Sequence, residues 1–250
     1  VTPDPHEVAA RFEHVHGHRG GPVRTFHPRR SVLGPERTRA LAELWPRYGF
    51  SVHDERLGTG PADATGRLDT AALFGRRAPV VLEIGSGMGE ATLAMAGADP
   101  ARDYLAVEAH LPGVANLLVL LARSGLTNVR IAHGDGLTLA ERLAPDSLDA
   151  VHLFFPDPWP KARHHKRRIV APERVALLRS RLRVGGTLHC ATDWEPYAQV
   201  MLEVIGTDPG LDNPHRGPAP RPAHRPVTPF ERRGLAAGRR VTDVVAVRAR

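Results

Sequence analysis

From Val80 onward, short apolar runs alternate with stretches whose apolar residues recur at helical spacing. "VVLEIG" (80–85) reads as a buried strand and "GEATLAMA" as the helix after it. "DYLAVEA" (103–109), "NVRIAHG" (128–134), "LDAVHLFF" (148–155) and "GGTLHCATD" (185–193) read as further strands. Between them, "LPGVANLLVLLARSG", "GLTLAERLA" and "APERVALLRSRL" have helical periodicity, and Pro172 falls in a first turn, where its missing N–H does no harm. "EPYAQVMLEVIG" adds a helix, and "VTDVVAVRA" (241–249) a last strand. Before this region, "GPERTRALAELWPRYGF" predicts a short helix from about Pro35, stopped by Pro46 and Gly49. Residues 207–226 are Pro-rich and predicted irregular, and residues 1–40 form a basic, Pro/Gly-punctuated arm. The β-α-β-α rhythm predicts an α/β fold: a doubly wound, mostly parallel seven-stranded sheet with helices on both faces, over residues 41–250 as a single domain.

In open sheets of this kind, ligands bind beyond the C-terminal ends of the strands. Glu83, Glu108, Asp135 and Asp193 all fall near such ends. "LEIGSGMGEAT" places Gly85, Gly87 and Gly89 between a strand and a helix, where glycine permits a tight turn and close approach to a ligand. The spacing is GxGxG, not the GxGxxG of dinucleotide sites, and Glu83 and Glu90 flank it. Paired carboxylates repel a diphosphate and suit an ammonium or sulfonium, which disfavours NAD. Glu108 stands where an acid takes ribose hydroxyls, and Asp135 where it reaches an adenine amino group. Together they resemble the S-adenosylmethionine-dependent methyltransferases of the doubly wound class.

The fourth of these strands runs into "FFPDPWPKARHHKRR" (154–168), where three prolines restrict the backbone around Asp157 and a cationic run follows. The chain carries 34 Lys plus Arg for a formal net charge of +7, but the only lysines are Lys161 and Lys166. The scarcity of lysine beside abundant Arg, Ala, Gly and Pro has the look of codon bias, so the clustering of charge is more informative than its sum. The run suits phosphates. Trp159 offers an aromatic face for packing or for base stacking. Neither the adjacent His164 and His165 nor the alternating His14, His16 and His18 of the arm has convincing metal-ligand spacing, and no metal is expected. Cys190 is alone, so no disulfide forms within the chain, and it reads as a buried strand residue. No apolar run approaches the roughly 18 residues of a membrane span, and no signal-peptide layout is evident, so a cytoplasmic protein is expected.

The loop resembles the signature of the bacterial tRNA (guanine-N7)-methyltransferase family. "ATDWEPYAQVMLE", "TPFERRG" (228–234), "AGRRVTDVVAVR", "RTFHPRRSV" and "LAELWPRYGF" are similar to other parts of that family, so the resemblance covers most of residues 24–250. It implies methyl transfer from S-adenosylmethionine to N7 of the variable-loop guanine, position 46, of tRNA, with no metal and no obligatory protein partner. It further implies that Glu83, Glu108, Asp135 and Asp157 line the donor, with Asp157 catalytic. Lys161, Asp193 and Thr228, Pro229, Phe230 and Glu231 would hold the guanine. Arg163, His164, His165, Lys166, Arg167 and Arg168 would contact RNA. Pro229 stands where the family commonly has lysine, and His165 where it commonly has asparagine. Alternatives from the sequence are methylation of another RNA, or RNA binding without catalysis.

Overall fold

The computed structural model describes residues 7, 10–12, 25–26 and 33–250. Most of the expected basic arm, including His14, His16 and His18, lies outside the described residues. Helix α1 (Pro35–Tyr48) leads directly into β1 (Gly49–Ser51). It runs through Pro46 for a last short turn and stops at Gly49, where a Cβ would meet the Trp45 ring at 2.1 Å. A short helix α2 (Thr70–Phe74), capped by Asp69, precedes β2 (Val80–Ile84). Strands and helices then alternate: α3 (Glu90–Ala98), β3 (Asp103–Glu108), α4 (Leu111–Ser124), β4 (Val129–His133), α5 (Gly136–Arg142), β5 (Leu148–Phe154), α6 (Pro172–Arg181), β6 (Leu182–Thr192) and α7 (Glu195–Thr207). The two-residue β7 (Leu211–Asp212), α8 (Pro229–Ala236) and β8 (Thr242–Arg248) complete the order.

One eight-stranded sheet results, in the order β1-β4-β3-β2-β5-β6-β8-β7. Pairing is parallel from β1 to β6, and β8 runs antiparallel to both β6 and β7. The expectation of seven strands is corrected to eight: beyond the six runs named from the sequence, Gly49–Ser51 pairs with Ile131–His133 of β4, and Leu211–Asp212 pairs with β8. The region expected to be irregular also holds the two residues of β7.

The period of two along each strand divides the core. Leu82 and Ile84 of β2, Leu105 and Val107 of β3, and Val151 and Leu153 of β5 join one apolar cluster. Val81, Tyr104, Ala106 and Ala150 face the other. All five residues of β2 are buried, as a central parallel strand covered on both faces requires. Cys190 is buried in β6, and burial pushes its thiol up. No helix among the described residues is long and apolar enough to cross a membrane.

After β4 the chain returns to the other side of β2 and adds β5. The C-terminal ends of β2 and β5 therefore border the point where the strand order reverses. That is the crevice in which doubly wound sheets bind ligands.

Candidate active site at the strand switch point

A cavity of about 650 Å³ opens at that point. Its wall includes Glu83, Gly85, Gly87, Glu108, Asp157, Thr228, Pro229 and Phe230, and also Thr25 and Phe26 from before α1. Sequence segments separated by most of the chain are thus brought together.

On the β2 side, Gly85, Gly87 and Gly89 all have positive φ, of 79°, 57° and 84°. A Cβ on Gly85 or Gly87 would meet no protein atom within 4 Å, so the turn is kept bare on the side a ligand would use. The Gly87 N–H donates to Glu108 Oε2 at 2.8 Å, and the His110 N–H donates to Oε1 at 2.7 Å. The Glu108 carboxylate is therefore oriented by backbone on both oxygens. Glu83 is 2 % exposed and accepts from the Thr92 hydroxyl. Burial pushes Glu83 up to about 7, against the Thr92 bond and with help from the Glu108 charge. Burial raises Glu108 as well, and the charge of Asp157 adds to the push.

Asp135 plays a local part. Its Oδ1 accepts from the Leu137 and Thr138 amides at 3.0 and 2.9 Å, capping α5. Gly134 and Gly136 on either side of it line the cavity. Gly113, which sequence reasoning passed over, is as important to the turn as its own glycines. A Cβ there would lie 2.1 Å from the Gly87 carbonyl oxygen, so α4 packs directly onto the turn. A lone glycine inside a helical pattern was the available signal.

After β5 the backbone turns through positive φ at Phe155 (52°) and Trp159 (45°), which non-glycine residues rarely adopt. Asp157 lies between them, facing the cavity. Trp159 is 2 % exposed and its indole N–H donates to the Thr25 carbonyl at 3.2 Å, so it packs and offers no face for a base. Residues Ala162–Arg167 form a 3-10 helix, not an open loop. Lys161, Arg163, His165 and Lys166 are exposed, His164 packs edge-on against Trp159, and Arg167 lies over that ring at 4.4 Å.

Arg168, also expected to contact RNA, differs from its exposed neighbours in the free chain. It is 5 % exposed, its Nε donates to the Pro158 carbonyl at 2.9 Å, and its guanidinium covers the Tyr197 ring. Arg168 ties the turn to the core.

The opposite wall begins at α8. Thr228 is its N-cap, with the hydroxyl accepting from the Glu231 amide at 3.2 Å, and Pro229 occupies the first helical position. A missing N–H is harmless there, so the departure at Pro229 removes a cation but no needed donor. Phe230 is exposed and pairs with Phe155 at 5.2 Å. Glu231 is 3 % exposed and both its oxygens are taken by Arg225, at 2.6 and 3.0 Å. In the free chain its carboxylate anchors the helix through Arg225, and its expected part in holding the guanine stays an expectation. Arg225 also binds both oxygens of Asp243, at 2.7 and 2.9 Å. Asp193 is paired with Arg239 at 2.7 Å. Neither Asp193 nor Lys161 belongs to the cavity wall.

Chemically, the cavity sets four carboxylates, Glu83, Glu90, Glu108 and Asp157, around a bare glycine turn, with aromatic rings and an N-capped helix opposite. That suits a cationic ligand with a nucleoside part, and disfavours a polyphosphate.

The model of the family described as "Putative methyltransferase" matches residues 77–244. The tRNA (guanine-N(7)-)-methyltransferase of Streptomyces avermitilis is 49% identical over 226 residues, 89% of this chain and 74% of that protein. That of Burkholderia cenocepacia is 47% identical over 242 residues, 96% of this chain and 91% of that protein. Among solved structures, the 16S rRNA methyltransferase KamB is similar in fold, with a TM-score of 0.50 at 17% identity over 76% of this chain and 95% of that chain.

Proposed function

The chain belongs to the tRNA (guanine-N(7)-)-methyltransferase family, and from that premise we propose that it methylates the variable-loop guanine of tRNA, position 46, using S-adenosylmethionine held in the cavity at the switch point. Methylation of a tRNA guanine at N7 is the activity of the family. The observation that carries the proposal is the grouping of Glu83, Glu108 and Asp157 around the bare turn of Gly85 and Gly87.

These residues fit the donor. Glu108, fixed by two backbone N–H groups, is oriented to accept from ribose hydroxyls. Glu83, buried and raised, gains from a cation that draws it into its charged form. Asp135 is assigned the adenine end, through the oxygen that does not cap α5. S-adenosylmethionine, when bound, supplies an electrophilic methyl group on a sulfonium, already an activated leaving group. Guanine N7 carries a lone pair and no proton, so the chain needs no general base. Its task is to hold the acceptor in line and close.

The imidazole ring of the base becomes cationic, and a fixed carboxylate stabilises that charge as it develops. Asp157 is placed for this role by a turn that its prolines and the buried Trp159 make rigid. Thr228, Pro229 and Phe230 form the acceptor wall, with Asp193 and Lys161 further out. Arg163, His165 and Lys166 face solvent as phosphate contacts.

Purified protein, labelled S-adenosylmethionine and unmodified tRNA test this, alongside the same tRNA with its variable-loop guanine changed to adenine. Label on the first alone, mapped to 7-methylguanine, is expected. Equal labelling of both moves the target, and no donor binding overturns the site.

A further inference from the structure

Three histidines far apart in sequence converge behind the acceptor wall. His152 of β5 and His189 of β6 are buried neighbours in the sheet, and His224 of the Pro-rich segment lies over them. One ring nitrogen from each lies within 4.8 Å of those of the other two. We propose that His152, His189 and His224 form a zinc site that fastens the Pro-rich segment before α8 to the sheet.

Four features support the assignment. First, Nδ1 of His189 and Nε2 of His224 are 3.1 Å apart. Two nitrogens bound to one tetrahedral zinc at its usual bond length are separated by about 3.3 Å. Second, Nε2 of His189 is 2.7 Å from Asp243 Oδ1, so a carboxylate holds the ring and fixes its tautomer, as is usual behind a ligating histidine. The lone pair of Nδ1 then points at His224. Third, Nδ1 of His152 is buried and has no hydrogen-bond partner among the described residues, a state that a metal ion would relieve. Fourth, the arginines nearest the rings are themselves paired with carboxylates. Arg225 faces two carboxylates, Glu231 and Asp243, giving one positive charge against two negative ones. Arg102 on the other side is matched by Asp99 and Asp149.

Burial holds all three imidazoles below their ordinary range, His224 to about 4, so their lone pairs are available at neutral pH. Binding exchanges the N–H···N contact between His189 and His224 for two nitrogen–metal bonds, and the His224 proton moves to Nδ1. The third ring closes by a small rotation, and water fills the fourth position. Imidazole ligands with no thiolate suit zinc, cobalt, nickel and copper, so cobalt serves as a coloured probe.

Thr228 follows His224 by four residues and caps α8. A metal at the three rings would therefore stiffen the segment that leads into the acceptor wall, in a place separate from the donor carboxylates.

Tag-free full chain, treated with chelator and dialysed, is titrated with Co²⁺ and then Zn²⁺. The expected result is one equivalent per chain, with the visible bands of tetrahedral cobalt, displaced by zinc. His224 is exposed, so His224→Ala folds and is expected to weaken binding at least tenfold. Replacing His14, His16 and His18 together with glutamine is expected to leave binding unchanged. Zinc is expected to raise the Tm of the parent and not of His224→Ala. No stoichiometric binding, binding that survives His224→Ala, or binding lost with the three arm histidines would each overturn the proposal.

Discussion

Replacing Arg225 with methionine removes the one partner that a deeply buried carboxylate has among the described residues. The guanidinium is 2 % exposed and makes four hydrogen bonds, two to Glu231 and two to Asp243. Methionine keeps the volume but leaves the Glu231 carboxylate with no partner among the described residues, while Asp243 retains His189. Breaking a buried pair from one side costs about 3–5 kcal/mol, because the remaining charge is neither hydrated nor compensated. For a chain of this size each kcal/mol lowers Tm by about 2–4 °C, so a fall of roughly 6–20 °C is expected. Urea unfolding measures the loss. Native-state hydrogen exchange should place part of it in α8, whose first turn Glu231 anchors, before the sheet opens. Adding Glu231→Gln to Arg225→Met removes the stranded charge and should recover about 1–2 kcal/mol. A loss under about 1 kcal/mol, with unaltered exchange at residues 229–236, would refute the view that this pair holds the acceptor wall.

Asp157→Ala should lower the single-turnover methylation rate about 10²- to 10³-fold at saturating donor and tRNA, and a rate near that of the parent removes Asp157 from the chemistry. Lys166→Ala should reduce the slope of log K against log salt for tRNA binding by about one. Arg168→Met should instead leave that slope unchanged and cost about 1–3 kcal/mol in urea unfolding. Gly113→Ala would press a methyl group onto the Gly87 carbonyl and should weaken donor binding roughly ten- to a hundred-fold by calorimetry, while tRNA binding without donor persists. Because Glu83 sits at about 7 when folded, above its ordinary carboxyl value, the free protein binds more protons than the unfolded chain between those limits. This contribution to stability is therefore lost as pH rises toward 7. A cationic donor reverses the preference, so donor binding should release a proton and weaken as pH falls below about 7, and Glu83→Gln should flatten that dependence in calorimetry across buffers.

The central strands were legible because burial on both faces writes them as continuous apolar runs. β1 was hidden, since three residues beginning with glycine after a proline-containing helix carry no periodicity, and β7 has only two residues. The donor turn showed itself through its glycines, but Gly113, which makes room for it from a different helix, did not. In the cationic run, counting charges could not separate Arg168, whose partner Tyr197 lies on another helix, from its exposed neighbours. Glu231 was read as part of a motif, and its owner Arg225 stands outside that motif. The three converging histidines come from two strands and a segment that pattern reading had left irregular, so their meeting is visible only in the folded chain.

The position of β8 has a consequence for how activity is acquired. It is the last described strand along the chain, yet in the sheet it lies inside, between β6 and β7. Among the described residues β7 pairs with β8 alone, and Arg225 and His189 both reach Asp243 on β8. The donor half can assemble from neighbouring β-α units by contacts close in sequence. The acceptor half has no place to dock until β8 has inserted, a long-range and therefore slow pairing. The wall that carries Thr228, Pro229 and Phe230 is therefore expected to become protected last on refolding, and pulsed hydrogen exchange at α8 against β2 and β3 checks that order.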